Sequence, residues 1–174
     1  RIYVGVVEQS LPGIFGPTFR FNPRPRAKIL RFNEAKGPGW ARFHASTLYN
    51  GEDYYLQIDS HMRFIRNWDT IIIPELLGLP ERSILSGYPM GNNQSLANLT
   101  KFTNICTGPA KLKNGHIVSS WKQVAARTKC TRGIQISAAF IFSKAPDFLD
   151  SVPYDPCLVY IFQGEEVLLS MRLY

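Results

Sequence analysis

A chain of 174 residues that is 45% hydrophobic and 13% aromatic can bury a core, which makes one domain the expectation and excludes a disordered or fibrous protein. Its 20 Lys and Arg against 13 Asp and Glu give a formal net charge of +7, which favours an anionic partner: a nucleic acid, a phosphorylated small molecule or an acidic protein. No apolar stretch approaches the roughly 18 residues of a spanning helix, and Arg1-Ile-Tyr-Val lacks a signal-peptide layout, so a soluble domain with no membrane span is expected.

Residues 1–7 are β-branched and aromatic without clean alternation, as in a strand covered on both faces of a parallel sheet. From Glu8 to Arg26, Pro12, Gly13, Gly16, Pro17, Pro23 and Pro25 predict a long irregular loop. Its end is basic, with Arg20, Arg24, Arg26, Lys28 and Arg31, and reads either as a solvated loop or as a phosphate or acidic-acceptor site. Lys28-Ile-Leu-Arg-Phe is a short strand. Pro38 then opens a helix in which Ala41, Ala45, Leu48 and Tyr49 recur at helical spacing, with Asn50-Gly51 as the stop. Tyr54-Tyr-Leu-Gln-Ile has the side chains of a strand. The order strand, strand, helix, strand predicts an α/β sandwich with parallel strands and a ligand site beyond their carboxyl ends. A second helix falls within Trp68 to Leu79, while Glu81 to Lys129 is rich in Gly, Asn and Thr and yields no element. Gln135-Ile-Ser-Ala-Ala-Phe-Ile-Phe reads as another buried strand and Val152-Pro-Tyr-Asp-Pro as a turn. Gly164 opens a helix running from Glu165 to Leu173.

Cys106, Cys130 and Cys157 are odd in number and have no Cys-x-x-Cys spacing, which encodes neither a disulfide framework nor a zinc ribbon and favours a reducing compartment. Two tripeptides, Asn93-Gln-Ser95 and Asn98-Leu-Thr100, are glycan acceptors only in a secreted chain. A nucleic-acid partner calls for a reader motif or an aromatic-lined basic groove, and the Arg20 to Arg31 segment supplies neither.

Asp59-Ser60-His61 stands at the carboxyl end of an apolar strand. A tight turn there lets Asp59 and His61 converge on one divalent cation, and an oxygen with an imidazole nitrogen suits Mn²⁺ or Mg²⁺ better than structural zinc. The same residues also fit a cap followed by a polar loop residue. Glu165 and Glu166 sit in the first turn of a helix, where they either complement its macrodipole or aim a carboxylate at a substrate that Gly164 lets approach. Lys36 and Arg42 flank a helix start able to hold a diphosphate through backbone N–H groups, though Arg42 equally fits an exposed helix position.

Taken together, Ala35-Lys-Gly-Pro-Gly-Trp-Ala-Arg42, the block from Gly51 to Phe64, Trp68-Asp69, Val152-Pro-Tyr-Asp-Pro156 and Phe162-Gln-Gly-Glu-Glu166 resemble the polypeptide N-acetylglucosaminyltransferases of the Skp1-hydroxyproline type, glycosyltransferase family 60. The blocks are spread in order over most of the chain, and the stretch from Tyr54 to Phe64 is the most specific. The resemblance implies a GT-A-like, Rossmann-like nucleotide-sugar-binding sandwich with a mainly parallel central sheet. It implies one catalytic domain over residues 1–174 that moves GlcNAc from a UDP-GlcNAc donor, with retention, to a hydroxyproline or Ser/Thr hydroxyl of a Skp1-like or mucin-like protein acceptor. Asp59 and His61 match that family's metal-holding Asp-x-His, Lys36, Arg42 and Asp59 fall on the nucleotide-sugar side, and Glu165 and Glu166 match its acidic pair near the sugar and the acceptor. Relatives carry a strand before residue 1 and a segment after Tyr174 with a further metal ligand, so a piece cut at both ends is expected. The compartment expected is cytoplasmic, with the Golgi lumen as the alternative. A noncatalytic nucleotide-sugar or glycan-binding domain of the same fold is the competing function; the retained Asp59, His61, Glu165 and Glu166 favour the enzyme.

Overall fold

The computed structural model describes residues 2–9, 11, 26–59, 62–89, 101–104, 111–113, 115–118, 122–125, 130, 132–162 and 164–173. They fall into two compact units, one of residues 1–52 with 153–162 and the other of residues 53–152 with 163–174.

In the first unit β1 (Gly5–Glu8) and β2 (Arg26–Ile29) pair in parallel, with Gly5 opposite Arg26 and Glu8 opposite Ile29. Residues 9–25 give the connection the length that a parallel pair requires. Helix α1 (Pro38–Ser46) packs against β1, and a Cβ on Gly5 would meet Leu48 at 3.4 Å. The Arg26 guanidinium is tied on three sides: it forms an ion pair with Glu52, donates to the Leu48 carbonyl at 2.9 Å and lies 4.8 Å from the Tyr3 ring centroid. Lys28 Nζ approaches His44 Nδ1 to 2.8 Å. Gly37, the residue before α1, has φ 94°, and a Cβ there would lie 3.1 Å from Tyr160 Cα, so a side chain is opposed by both backbone strain and contact. Helix α1 ends at Ser46 rather than at Asn50-Gly51. The Ser46 and Thr47 hydroxyls donate to the Phe43 and His44 carbonyls at 2.7 Å, and the Leu48 and Tyr49 N–H groups turn back to Ala45 and Ser46 at 3.1 Å, tighter bonds that close the helix.

The second unit is built on a three-stranded sheet in the order β3 (Tyr54–Ile58), β9 (Phe140–Lys144), β4 (Leu85–Ser86). Both pairings are antiparallel, with Tyr54 opposite Lys144, Ile58 opposite Phe140 and Leu85 opposite Phe142. This corrects the expected direction: among the described residues parallel pairing is confined to β1–β2, and a mainly parallel central sheet is not found. An unbroken apolar run reports that both faces are covered and is silent on direction. Strand β9 meets that description, with Ile141 and Ser143 fully buried and Phe142 nearly so.

The chain turns directly from β9 into α3 (Ala145–Leu149), whose Ala145 and Phe148 are fully buried. Tyr54 stacks on Phe142 and Tyr55 on Phe148, with ring centroids 5.6 and 5.3 Å apart. Helix α2 (Trp68–Leu77) lies inside the predicted range, and α4 (Glu165–Arg172) opens at Gly164 with φ 91°. Between β4 and β9 run two antiparallel pairs, β5 (Lys101–Asn104) with β8 (Lys122–Ala125) and β6 (Lys111–Lys113) with β7 (His116–Val118).

Candidate active site

Strand β3 delivers Asp59 one residue past its end, half-buried, with its N–H donating to the Ala139 carbonyl at 3.1 Å. The acceptor belongs to a tight segment, residues 136–139, that the sequence had as the first half of a strand; β9 begins only at Phe140. Side chains take the backbone groups there that a ladder would otherwise use. Ile136 N–H donates to Ser170 Oγ at 2.9 Å, Ser137 N–H to Ser86 Oγ at 2.7 Å, Ala138 N–H to Glu166 Oε1 at 2.9 Å and Ala139 N–H to Ser137 Oγ at 3.1 Å. Gln57, buried in β3, donates through Nε2 to the Ala138 carbonyl at 2.9 Å. The segment is thereby clamped by β3, β4 and α4 together.

The same clamp brings two of the candidate carboxylates to consecutive residues. Asp59 is anchored on Ala139 through its backbone, and Glu166 on Ala138 through its side chain. Between them in the electrostatic sense stands Tyr88, whose hydroxyl donates to Glu166, 2.8 Å from Oε1 and 3.0 Å from Oε2. Its phenol is pushed up to about 12, first by burial and next by its hydrogen bond to Glu166 and that carboxylate's charge. A side-chain hydrogen bond with Ser137 works the other way, and the negative charge of Asp59 adds to the rise. Tyr88 therefore stays protonated at neutral pH and acts as a donor.

The adjacent Glu165 is buried in the first turn of α4 and Glu166 is half-buried; both complement the positive end of that helix. Ser170 ties the helix down from within, its hydroxyl donating to the Glu166 carbonyl at 2.5 Å. Lys36 and Arg42 belong to the first unit, and the residues of this cluster to the second. Lys36 is exposed, its Nζ 5.6 Å from the Trp40 ring centroid, and its carbonyl accepts the Tyr160 N–H at 2.6 Å. Arg42 is half-buried on α1. His61 lies outside the described residues, as do both Asn-x-Ser/Thr tripeptides, Cys106, Arg20 and Arg24.

Of the expected metal pair only Asp59 is described, its carboxylate following a strand pinned at Ala139, and one hard oxygen donor suits a divalent cation without by itself making a site. Among the described residues no three His, Cys, Asp or Glu side chains form a group able to hold an ion. Nor, among them, is any helix long and apolar enough to cross a membrane. Sequence reasoning missed Tyr88, Gln57 and Ser86. Gly87-Tyr88-Pro89 sits in the stretch that gave no element, and an alternating strand position such as Gln57 carries no mark of the carbonyl it serves.

No curated protein and no solved structure matches the chain. A family model described as Glycosyltransferase (GlcNAc) does match, over residues 8–174, and the chain belongs to that glycosyltransferase family.

Proposed function

We propose that this glycosyltransferase moves GlcNAc from UDP-GlcNAc to a hydroxyproline or Ser/Thr hydroxyl of a Skp1-like or mucin-like protein, with retention and with Mn²⁺ or Mg²⁺ as cofactor. The observation that carries the reading is the fastening of Asp59 and Glu166 to adjacent residues of one clamped segment, at the carboxyl end of β3. Membership of the family supports glycosyl transfer. Residues 1–174 are read as parts of one GT-A-like catalytic domain, and the cytoplasm is the compartment proposed, which accords with free Cys130 and Cys157.

The roles follow from the chemistry. The bond from the anomeric carbon to the UDP oxygen breaks with its electron pair leaving on the diphosphate, a new bond to the acceptor oxygen forms, and the acceptor's proton ends on the released diphosphate. Asp59 with His61 would hold the cation, which when bound supplies positive charge beside the leaving diphosphate. Lys36 and Arg42 are the cations proposed for binding a diphosphate, as a point charge and a planar fork respectively. Glu165 and Glu166 face the sugar and the acceptor hydroxyl, where an ionised carboxylate accepts hydrogen bonds and stabilises positive charge developing at the anomeric carbon.

Calorimetry of UDP binding with Mn²⁺ and with EDTA, on the wild-type chain and on Asp59→Ala, tests this. The expected result is binding that requires Mn²⁺ and weakens at least about tenfold in the variant, the effect of losing one charged metal ligand. Binding that is indifferent both to EDTA and to the substitution would overturn the metal role.

A further inference from the structure

We propose that Tyr88 is a positioning residue of the transfer reaction: its hydroxyl, set across both oxygens of the Glu166 carboxylate, fixes the direction in which that carboxylate meets the substrate. The inference rests on the reading that Glu166 faces the sugar or the acceptor.

The geometry separates an anchor from an orienter. Ala138 N–H reaches one carboxylate oxygen at 2.9 Å and holds it in place. A single donor leaves the carboxylate free to swing about that point, since the terminal torsion of Glu is broad and roughly two-fold. Tyr88 removes the swing, because its hydroxyl lies 2.8 Å from the same oxygen and 3.0 Å from the other. The phenol ring is half-buried two residues past β4. Its single hydroxyl proton is committed to Glu166, so Tyr88 acts on the reaction through that residue and transfers no proton itself. Orientation matters here because a carboxylate stabilises a developing charge, or aligns an attacking hydroxyl, only within a narrow range of distance and angle. The lone pairs of Glu166 that Ala138 and Tyr88 leave open are then the ones offered to substrate.

The test is a cycle of four proteins: wild type, Tyr88→Phe, Glu166→Gln and the double variant. Tyr88→Phe keeps the ring and deletes only the donor. Turnover of UDP-GlcNAc gives kcat and KM, and urea unfolding gives the folding constant of each protein. The expected result is a kcat about tenfold lower in Tyr88→Phe with KM within about twofold, a lower kcat in Glu166→Gln, and no further loss in the double variant. A second folding cycle, Tyr88→Phe with Glu166→Met, which has a similar length and no oxygen acceptor, is expected to show a coupling of about tenfold between the two residues, and simple additivity there would overturn the hydrogen bond itself. An unchanged kcat in Tyr88→Phe, or an equal loss in both backgrounds, would overturn the positioning role while leaving Glu166 in place. Full kcat in Glu166→Gln would instead overturn the reading of Glu166, and the positioning role with it.

Discussion

At the scale of single residues, a direct ion pair sets the charge of a half-buried carboxylate. Glu52 shows the effect. The Arg26 guanidinium beside it holds its carboxyl down to about 2 from an ordinary value of 4.5, and the Asn50 N–H, donating at 2.9 Å, adds to the pull. Since the folded value is the lower one, this pair stabilises the fold fully above pH 4.5 and loses that contribution as pH falls from there toward about 2. Glu52→Gln is therefore expected to flatten the acid side of the stability profile, read by urea unfolding over that window. An acid limb of unchanged steepness in the variant would mean that the pair contributes nothing. His44 follows a different logic: burial and the neighbouring Lys28 charge both push its imidazole down, which keeps it neutral and lets Nδ1 accept from the Lys28 ammonium.

At the scale of elements, the segment before β9 decides the geometry of the candidate site. It contains small residues, Ser137, Ala138 and Ala139, buried among groups from β3, β4 and α4. Its backbone is satisfied almost wholly by side chains, so each of those side chains carries a backbone partner that would otherwise be orphaned. Ser86 is the central case. Its Oγ accepts the Ser137 N–H at 2.7 Å and donates to the Phe140 carbonyl at 2.9 Å. Ser86→Ala leaves both groups unpaired in a partly buried place, an expected cost of about 1–3 kcal/mol in urea unfolding. The same variant is expected to slow turnover, because the segment it loosens anchors both Asp59 and Glu166. A variant as stable as wild type would show that water replaces the hydroxyl.

At the scale of the whole molecule, burial is unevenly shared. Apart from Tyr154, every buried hydrophobic side chain among the described residues belongs to the second unit, with Ile141, Ala145, Phe148 and Val152 fully enclosed. In the first unit the described part of β1, β2 and α1 has no fully buried side chain, and Ile29 and Phe32 are exposed. Local stability follows buried apolar area, so native-state hydrogen exchange is expected to protect β3, β9 and α3 most, with β1, β2 and α1 exchanging earlier. Equal protection across both sets would show that the described part of the first unit draws on support beyond its own visible packing.

Much was legible without coordinates. Tyr54 to Ile58 is a strand with the predicted bounds, Gly164 opens the last helix, and the second helix falls within its predicted range, because β-branched and aromatic runs, a positive-φ glycine and apolar content act locally. That the chain is a glycosyltransferase was readable from ordered blocks of sequence and is carried by the match over residues 8–174. Sheet direction was not legible, since a two-sided apolar strand has the same composition whichever way its neighbours run. Nor was the break at residues 136–139: an Ile-Ser-Ala-Ala run suits a buried strand until Ser86, Glu166 and Ser170, far off in the chain, take its N–H groups. Asp59 and Glu166 could each be named from local pattern, but their meeting on one segment, and the hydroxyl of Tyr88 across Glu166, depend on contacts between residues 28 to 81 positions apart. Only the tertiary structure supplies those contacts, because hydrogen bonds between distant residues leave no period or spacing in the sequence.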